Sequence, residues 1–239
     1  MPGTSDMEEI MKYYTKELYD EMQIYGSLVF PDSKEEWEEL VQSYDDMEID
    51  YIERLKAELA YRKNDLLTFL PVSLHPAINK GTFMIDYPSQ EEREVIEQCR
   101  SRFKHKLETI RNECKANYAL IKHLLPENAV RIYEDVYTHD ATVLAVDFCQ
   151  ERQECILLLN NIDGNGQTVD IKLTFTGIHK ISNLEHIIDA WWIYDEVYVT
   201  NHGFELHVLF NGPCEMWETT IEATDVFIEY LSSSIAKDL

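Results

Sequence analysis

Apolar residues recur with helical spacing over one unusually long stretch of the chain. The steps between them are 3, 4, 4, 3, 4, 4, 3 and 4 residues. The positions are Ile96, Cys99, Phe103, Leu107, Ile110, Cys114, Tyr118, Ile121 and Leu125. This spacing puts all of them on one face of an α-helix. Because Ser89 and Glu92 have the spacing of a capping box, we expect the helix to begin there and to run for about 36 residues.

An apolar stripe of this length allows two kinds of packing. It could be the seam of a coiled coil between two chains, which would make the protein a helix-mediated dimer. It could equally hold the other N-terminal helices against itself in a monomer. The intramolecular bundle is the interpretation we favour.

Two more helices are predicted before the long one. The first begins near Ser5, which has capping-box spacing with Glu8, and carries apolar residues as far as Met22. The second begins at Ser33 and either continues to about Leu59 or breaks near Asp45 and Asp46. Residues 71 and 76 are prolines and end the helical region.

The hydrophobic pattern changes at Pro126. From Val130 onward, runs rich in branched and aromatic residues predict strands at 142–148, 155–159, 169–175, 191–200 and 204–210. The links at 163–166 and 201–203 have hairpin composition, which favours antiparallel neighbours. Residues 182–190 are expected to form a short helix, and 224–231 a last strand or helix. The sequence therefore predicts an α+β protein with a helical domain at 1–127 and an antiparallel β-rich domain at 128–239.

The charge is strongly negative. The chain has 45 acidic and 21 basic residues, which gives a net charge of −24. Such a surface repels phosphate backbones, so direct binding of nucleic acid is disfavoured, although an acidic mimic of nucleic acid is conceivable. The same field would attract a basic protein or a metal cation, and it would also keep the protein soluble.

Nothing in the sequence amounts to a catalytic signature. The glycines do not form a nucleotide-binding loop, and residues 163–174 lack the ligands of a calcium loop. The five cysteines contain no CxxC pair and are expected to be buried thiols. No cofactor is indicated, and an enzyme is the less favoured class.

One group of residues could hold a metal. If Asp195, Glu205 and His207 converge on one sheet face, with His202 nearby, they would form a mixed oxygen and nitrogen site of the kind that zinc or manganese accepts. The alternative is that they form the solvated face of the sheet. This site is the basis of a second hypothesis, a metal-dependent hydrolase.

Aromatic residues on the strand at 191–200 are the candidate binding face. Strict alternation puts Trp192, Tyr194 and Tyr198 on one side and Trp191 on the other. Tyrosine and tryptophan are favoured in interface hot spots, so an open tyrosine face would bind a partner. A central strand covered on both faces would explain the same pattern without any binding role.

Two strings resemble a known family. They are Met11-Lys12-Tyr13-Tyr14-Thr15-Lys16-Glu17-Leu18-Tyr19, followed by Met22-Gln23 and Trp37, and Gly203-Phe204-Glu205-Leu206-His207-Val208-Leu209-Phe210. They resemble the two ends of a family of uncharacterised bacterial cytoplasmic proteins, a domain of unknown function. The resemblance implies a bacterial source and a natural start near residue 11, and it implies no activity. Apart from the resemblance, residues 1–6 are expected to be a flexible leader or a cloning remnant.

The favoured hypothesis is a non-enzymatic interaction or regulatory protein that binds a partner, plausibly a basic one. No run of 18 apolar residues is present and the start lacks the order of a signal peptide, so we expect a cytoplasmic protein with no membrane contact.

Overall fold

The structure is a computed structural model that describes residues 11–162 and 166–231. Contacts divide it into two compact units. Residues 17–109 form one unit, and the described residues of 1–16 and 110–239 form the other. The domain boundary that the sequence suggests at residue 127 concerns segments that fold independently, and it stays a prediction.

The first unit is helical. Its elements are α1 (Lys16–Ser27), α2 (Lys34–Asp45), α3 (Tyr51–Phe69), α4 (His75–Lys80) and the first part of α5 (Gln90–Ile121). Their apolar faces meet in one core, which includes Ile24, Leu28, Leu59, Leu66, Leu70, Ile78 and Ile96. Burial of these side chains, more than helix propensity, stabilises helices of this length.

Capping decides where the helices begin. The backbone N–H of Glu36 donates to Ser33 Oγ at 3.1 Å, and that of Glu92 to Ser89 Oγ at 3.2 Å. The Glu92 carboxylate accepts the backbone N–H of Ser89 in return, which confirms that capping box, whereas Ser33 is an N-cap whose Glu36 accepts the N–H of Asp32 instead. Of the two alternatives for the second helix, the break near Asp45 is the one observed, because α2 ends at Asp45. Asp50 then caps a new helix, α3, by accepting the backbone N–H of Glu53 at 2.8 Å.

The first predicted helix begins later than expected. Residues 11–15 are not helical, and α1 begins at Lys16. The backbone N–H groups of residues 12–14 donate to the carboxylate of Glu196 on the sheet. Because these N–H groups already have an acceptor outside the helix, the helix begins after them. The predicted start near Ser5 lies outside the described residues.

The long helix is confirmed, with a small correction. α5 has 32 residues, and a 3₁₀ turn at Lys122–Leu124 follows it. Its stripe is buried inside the chain at Ile96, Cys99, Phe103 and Cys114.

The second unit contains an eight-stranded sheet. Its strands are β1 (Thr142–Cys149), β2 (Glu154–Ile162), β3 (Thr168–Thr176), β4 (Lys180–Ile181), β5 (Trp191–Thr200), β6 (Gly203–Asn211), β7 (Met216–Ala223) and β8 (Asp225–Leu231). The order is β4-β7-β6-β5-β1-β2-β3-β8, and every pair is antiparallel. The predicted α+β class, with a long helix and an antiparallel sheet, is confirmed.

One core lies on one face of this sheet. It joins side chains from both halves of the strand order, for example Leu173 on β3 and Leu206 on β6, which are 0% and 2% exposed. The rings of Phe175 on β3 and Phe204 on β6 are 6.4 Å apart, so these two strands, four places apart in the order, face each other across the core. The helix α6 (Glu127–Asp135) adds Ala129 and Ile132 to the same core.

The structure departs from the sequence-based expectations at four places. The segment after Pro126 is helical to Asp135, because its apolar residues follow helical spacing from Ala129 to Ile132. The strand β7 was not predicted, because threonines and glutamates interrupt its apolar pattern. The short helix predicted at 182–190 is a 3₁₀ helix limited to Leu184–His186. Cys214 is exposed in a turn and Cys149 is half-buried, whereas the other three cysteines are buried.

Of the hairpin link predicted at 163–166, residues 163–165 lie outside the described residues. The predicted hairpin at 201–203 is present, since Thr200 pairs with Gly203.

Candidate functional site

A break in the β5–β6 register changes the predicted faces of β5. Trp192 pairs with Phe210, but the next pair is Tyr194 with Leu209, so one residue of β5 is extra. A bulge of this kind reverses the alternation that follows it. The prediction that Trp192 shares a face with Tyr194 and Tyr198 is therefore wrong.

Trp192 belongs to the core. Its side chain is 0% exposed, and its ring meets that of Phe210 edge-on at 5.4 Å. Its indole Nε1–H donates to Asp195 Oδ2 at 2.8 Å. Thr138 Oγ1–H donates to the same oxygen at 3.1 Å. Asp195 is thus on the core side of β5, where it satisfies two polar groups.

The environment of Asp195 favours its neutral form. Loss of water around the carboxyl group raises its pKa above the ordinary value of 3.8. The hydrogen bonds from Trp192 and Thr138 act in the opposite direction but do not cancel the effect of burial.

Tyr194 and Tyr198 lie on the opposite face, and both are half-buried. The Tyr194 ring stacks on Tyr14 at 4.9 Å and on His139 at 5.7 Å. The Tyr198 hydroxyl donates to Glu196, and burial followed by this hydrogen bond raises its pKa. The chain's own residues therefore make contacts across the face that was predicted to be open.

Glu196 is the centre of this face, although the sequence did not single it out. It is 2% exposed. Its carboxylate accepts the backbone N–H groups of Lys12 at 3.0 Å and of Tyr13 and Tyr14 at 2.7 Å each. Four donors, including Tyr198, satisfy the buried charge. The segment 11–14, which carries the family resemblance, is thereby fixed to β5.

The candidate metal ligands are divided. Glu205 and His207 are in contact on the outer face of β6, but Asp195 pairs with Val208 on the core face. His202 instead approaches Glu222 at 3.1 Å and stacks on His179 at 4.0 Å. Throughout residues 11–162 and 166–231, no group of three His, Cys, Asp or Glu side chains could hold a metal ion.

The helical unit contains an aromatic cluster that the sequence analysis missed. The ring of Trp37 on α2 lies 6.1 Å from that of Tyr51 and 6.5 Å from that of Tyr87, and Tyr51 stacks on Tyr44 at 4.4 Å. Burial raises the pKa of Tyr51.

Beside this cluster is an open pocket of about 510 Å³, which we call the acidic groove. It is lined by Lys34, Trp37, Glu38, Val41, Gln42, Asp45, Ile52, Ile85, Asp86 and Tyr87. Its floor is apolar, and its charged residues are three carboxylates and one lysine. Lys34 is 3.4 Å from Glu38, so part of its charge is already paired.

The surrounding sequence strengthens this negative potential. Residues 32–53 contain ten acidic residues and one basic residue, a net charge of −9. Met47 and Ile49, in the turn between α2 and α3, are 58% and 40% exposed. The acidic run at 35–39 begins in the first turn of α2, where carboxylates are also favoured by the positive end of the helix dipole. The spacing of Trp37, Val41 and Tyr44 beside that run was the available signal of an apolar stripe rimmed by acid.

In the part of the chain that the structure describes, no helix is long and apolar enough to cross a membrane.

Comparison with known proteins gives a family and no activity. No curated protein matches the chain. A family model described as "Protein of unknown function (DUF4085)" matches residues 13–223. That range begins in the segment held by Glu196 and ends with β7. The chain therefore belongs to the DUF4085 family.

Proposed function

We propose that the protein is a non-enzymatic interaction protein that binds a basic segment of another protein in the acidic groove. The observation that carries the proposal is the combination of an apolar floor with a rim of three carboxylates in one open pocket. The cytoplasmic location and bacterial source expected from the sequence are part of the same proposal.

The floor of the groove sets the shape of the ligand. Trp37, Val41 and Ile52 offer apolar contacts to one or two side chains of a partner. Burial of such an anchor provides most of the binding free energy in helix-in-groove complexes. We therefore expect the partner to present an aliphatic or aromatic anchor.

The rim sets the charge of the ligand. Glu38, Asp45 and Asp86 surround the floor, and Asp45 and Asp86 have no ion-pair partner among the described residues. Lys or Arg residues that flank the anchor would pair with them and would fix the register of the bound segment. An amphipathic helix with leucines on one face and lysines on the other meets both requirements.

The net charge supports fast and salt-dependent association. A chain with a net charge of −24 attracts a cationic ligand over a distance comparable to the Debye length. Screening by salt should therefore lower the association rate more than it changes the dissociation rate.

The test is a fluorescence anisotropy titration with a labelled Leu/Lys helix of about five turns. The matched probe is the same helix with every Lys replaced by Glu. The proposal predicts saturable binding of the Leu/Lys helix and no binding of the Leu/Glu helix. The double variant Asp45→Asn, Asp86→Asn should bind the Leu/Lys helix about tenfold more weakly.

Asp65→Asn is the matched control. Asp65 is exposed on α3 in the same helical unit but does not line the groove. If this variant weakens binding as much as the groove variant does, the attraction comes from net charge and the groove is not the site. Equal binding of the two helices would overturn the proposal.

A further inference from the structure

A second pocket of the helical unit has the opposite electrostatic character. Its volume is about 330 Å³, and its charged lining residues are Arg102, Lys106 and Glu21. The chain has a net charge of −24, so a pocket lined by two cations and one carboxylate departs from its overall charge. The segment of α5 that provides the cations, residues 98–107, contains four basic residues and no acidic residue.

The walls of this pocket are apolar. The rings of Tyr25 and Phe103 stack at 4.9 Å, and Phe69 and Leu70 complete the surface. The Tyr25 hydroxyl donates to the Phe69 carbonyl at 2.9 Å, which fixes the Tyr25 ring against α3. An apolar ligand body would therefore meet a preformed surface.

Arg102 is oriented but not neutralised, whereas Lys106 is already paired with Glu21. Arg102 donates through Nη2 to Cys99 Sγ at 3.0 Å and through Nε to the Gln98 carbonyl at 3.4 Å. Neither acceptor is a carboxylate. Along residues 11–162 and 166–231, Arg102 has no carboxylate within ion-pair distance, so guanidinium N–H groups remain for an anion.

Lys106 is held over the same pocket by Glu21, at 2.5 Å between Nζ and Oε2. The Glu21 side chain is only 14% exposed, whereas that of Lys106 is 51% exposed. The ammonium therefore keeps N–H groups toward solvent while its position is fixed. A fixed lysine loses less conformational entropy when an anion binds.

We propose that this pocket binds a small organic carboxylate with an apolar body. The carboxylate lies between Arg102 and Lys106, and the body lies along Tyr25, Phe69 and Phe103. A guanidinium pairs with the planar carboxylate through charge-assisted hydrogen bonds, which an uncharged amide of the same shape cannot form with equal strength. This inference does not depend on the proposed function of the acidic groove.

The test uses octanoate as the probe and octanamide as its neutral counterpart, with the full-length chain in isothermal titration calorimetry. The expected result is saturable binding of octanoate, with octanamide bound about tenfold or more weakly. Raising the salt concentration should weaken the binding of octanoate more than that of octanamide.

Variants then locate the site. Arg102→Gln should weaken octanoate binding about tenfold and leave octanamide unchanged, and Lys106→Gln should have the same direction of effect. Arg100→Gln is the matched control, because Arg100 is on the same helix, pairs with Glu97 and does not line the pocket. Circular dichroism checks that each variant is folded. If Arg102→Gln does not fold, Arg102→Lys, which keeps the charge, replaces it in the binding measurement.

Three results would overturn the inference. They are equal binding of octanoate and octanamide, an Arg102→Gln variant that binds octanoate as the wild type does, and an Arg100→Gln variant that loses as much affinity as Arg102→Gln.

Discussion

The carboxylate of Glu196 accepts the backbone N–H of Tyr14 at 2.7 Å in the interior of the β-rich unit. The same carboxylate accepts two more backbone N–H groups and the hydroxyl of Tyr198. A single side chain on β5 thus fixes the segment that precedes α1.

Replacement of Glu196 by Gln should destabilise the protein. The amide keeps one acceptor oxygen, but its NH₂ group faces donors, so at least one buried group loses its partner. We expect the free energy of unfolding to fall by about 2 kcal/mol. Urea denaturation measures the change. Glu229→Gln is the control, since Glu229 on the edge strand β8 is half exposed beside Lys172. Its replacement should lower the free energy of unfolding by less than about 0.5 kcal/mol. Equal effects of the two variants would contradict the role of Glu196.

Asp195 should make stability depend on pH in the direction opposite to an ordinary salt-bridged carboxylate. The pKa of Asp195 is about 3.8 in the unfolded chain and higher in the folded protein. Between these two pKa values the folded state holds a proton that the unfolded state has released. Stability should then fall as the pH rises from about 3.8 through the folded pKa, and stay at the lower level above it.

The measurement is the difference in unfolding free energy between the wild type and Asp195→Asn across pH 4 to about 8. Asn can still accept from Trp192 and Thr138 but does not titrate. The wild type should lose stability relative to the variant as the pH rises. A difference that is independent of pH would show that Asp195 has an ordinary pKa.

Two adjacent tryptophans test the bulge in β5. Trp192 is 0% exposed and Trp191 is 53% exposed. Trp192→Ala should cost about 4 kcal/mol because it leaves a cavity in the core, whereas Trp191→Ala should cost about 1 kcal/mol or less. Thermal or urea unfolding distinguishes them. Similar losses for the two variants would mean that the strand faces are assigned incorrectly.

Two glycines provide another matched pair. Gly203 has φ +138°, and an added Cβ would lie 2.5 Å from the Ala223 carbonyl oxygen. Gly203→Ala should therefore destabilise the hairpin by about 2 kcal/mol. Gly26, in α1, has no atom within 4 Å of an added Cβ, and Gly26→Ala should stabilise by about 0.5 kcal/mol. A destabilised Gly26→Ala variant, or a neutral Gly203→Ala variant, would contradict this geometry.

The features that could be predicted from the sequence are those set by hydrophobic periodicity and helix capping. The long helix, the capping box at Ser89, the N-cap at Ser33 and five strands follow from local patterns, and they are confirmed. The bulge after Trp192 does not follow from a local pattern, because it depends on how β5 pairs with β6. It reverses which side of the sheet each later residue of β5 faces. The capture of residues 12–14 by Glu196 joins positions more than 180 residues apart. No local pattern contains such information.

The candidate binding face predicted from the sequence is not the surface that the structure leaves open. An acidic surface with exposed aromatic character was expected on the β-rich half, at Tyr194 and Tyr198. Those rings instead contact residues of the chain itself, whereas Trp37 and its carboxylate neighbours line an open groove on the helical unit. The acidic run beside Trp37 was visible in the sequence, but the partners Ile85 and Tyr87 come from a distant segment.

The most direct test of the acidic groove is the NMR signal of the Trp37 indole N–H during titration with the Leu/Lys helix. The chain has four tryptophans, and Trp37 is the one that lines the groove. The account predicts that the Trp37 signal shifts saturably while the signals of Trp191, Trp192 and Trp217 stay in place. An unchanged Trp37 signal at saturating peptide would contradict the account, because the helix would then be bound elsewhere.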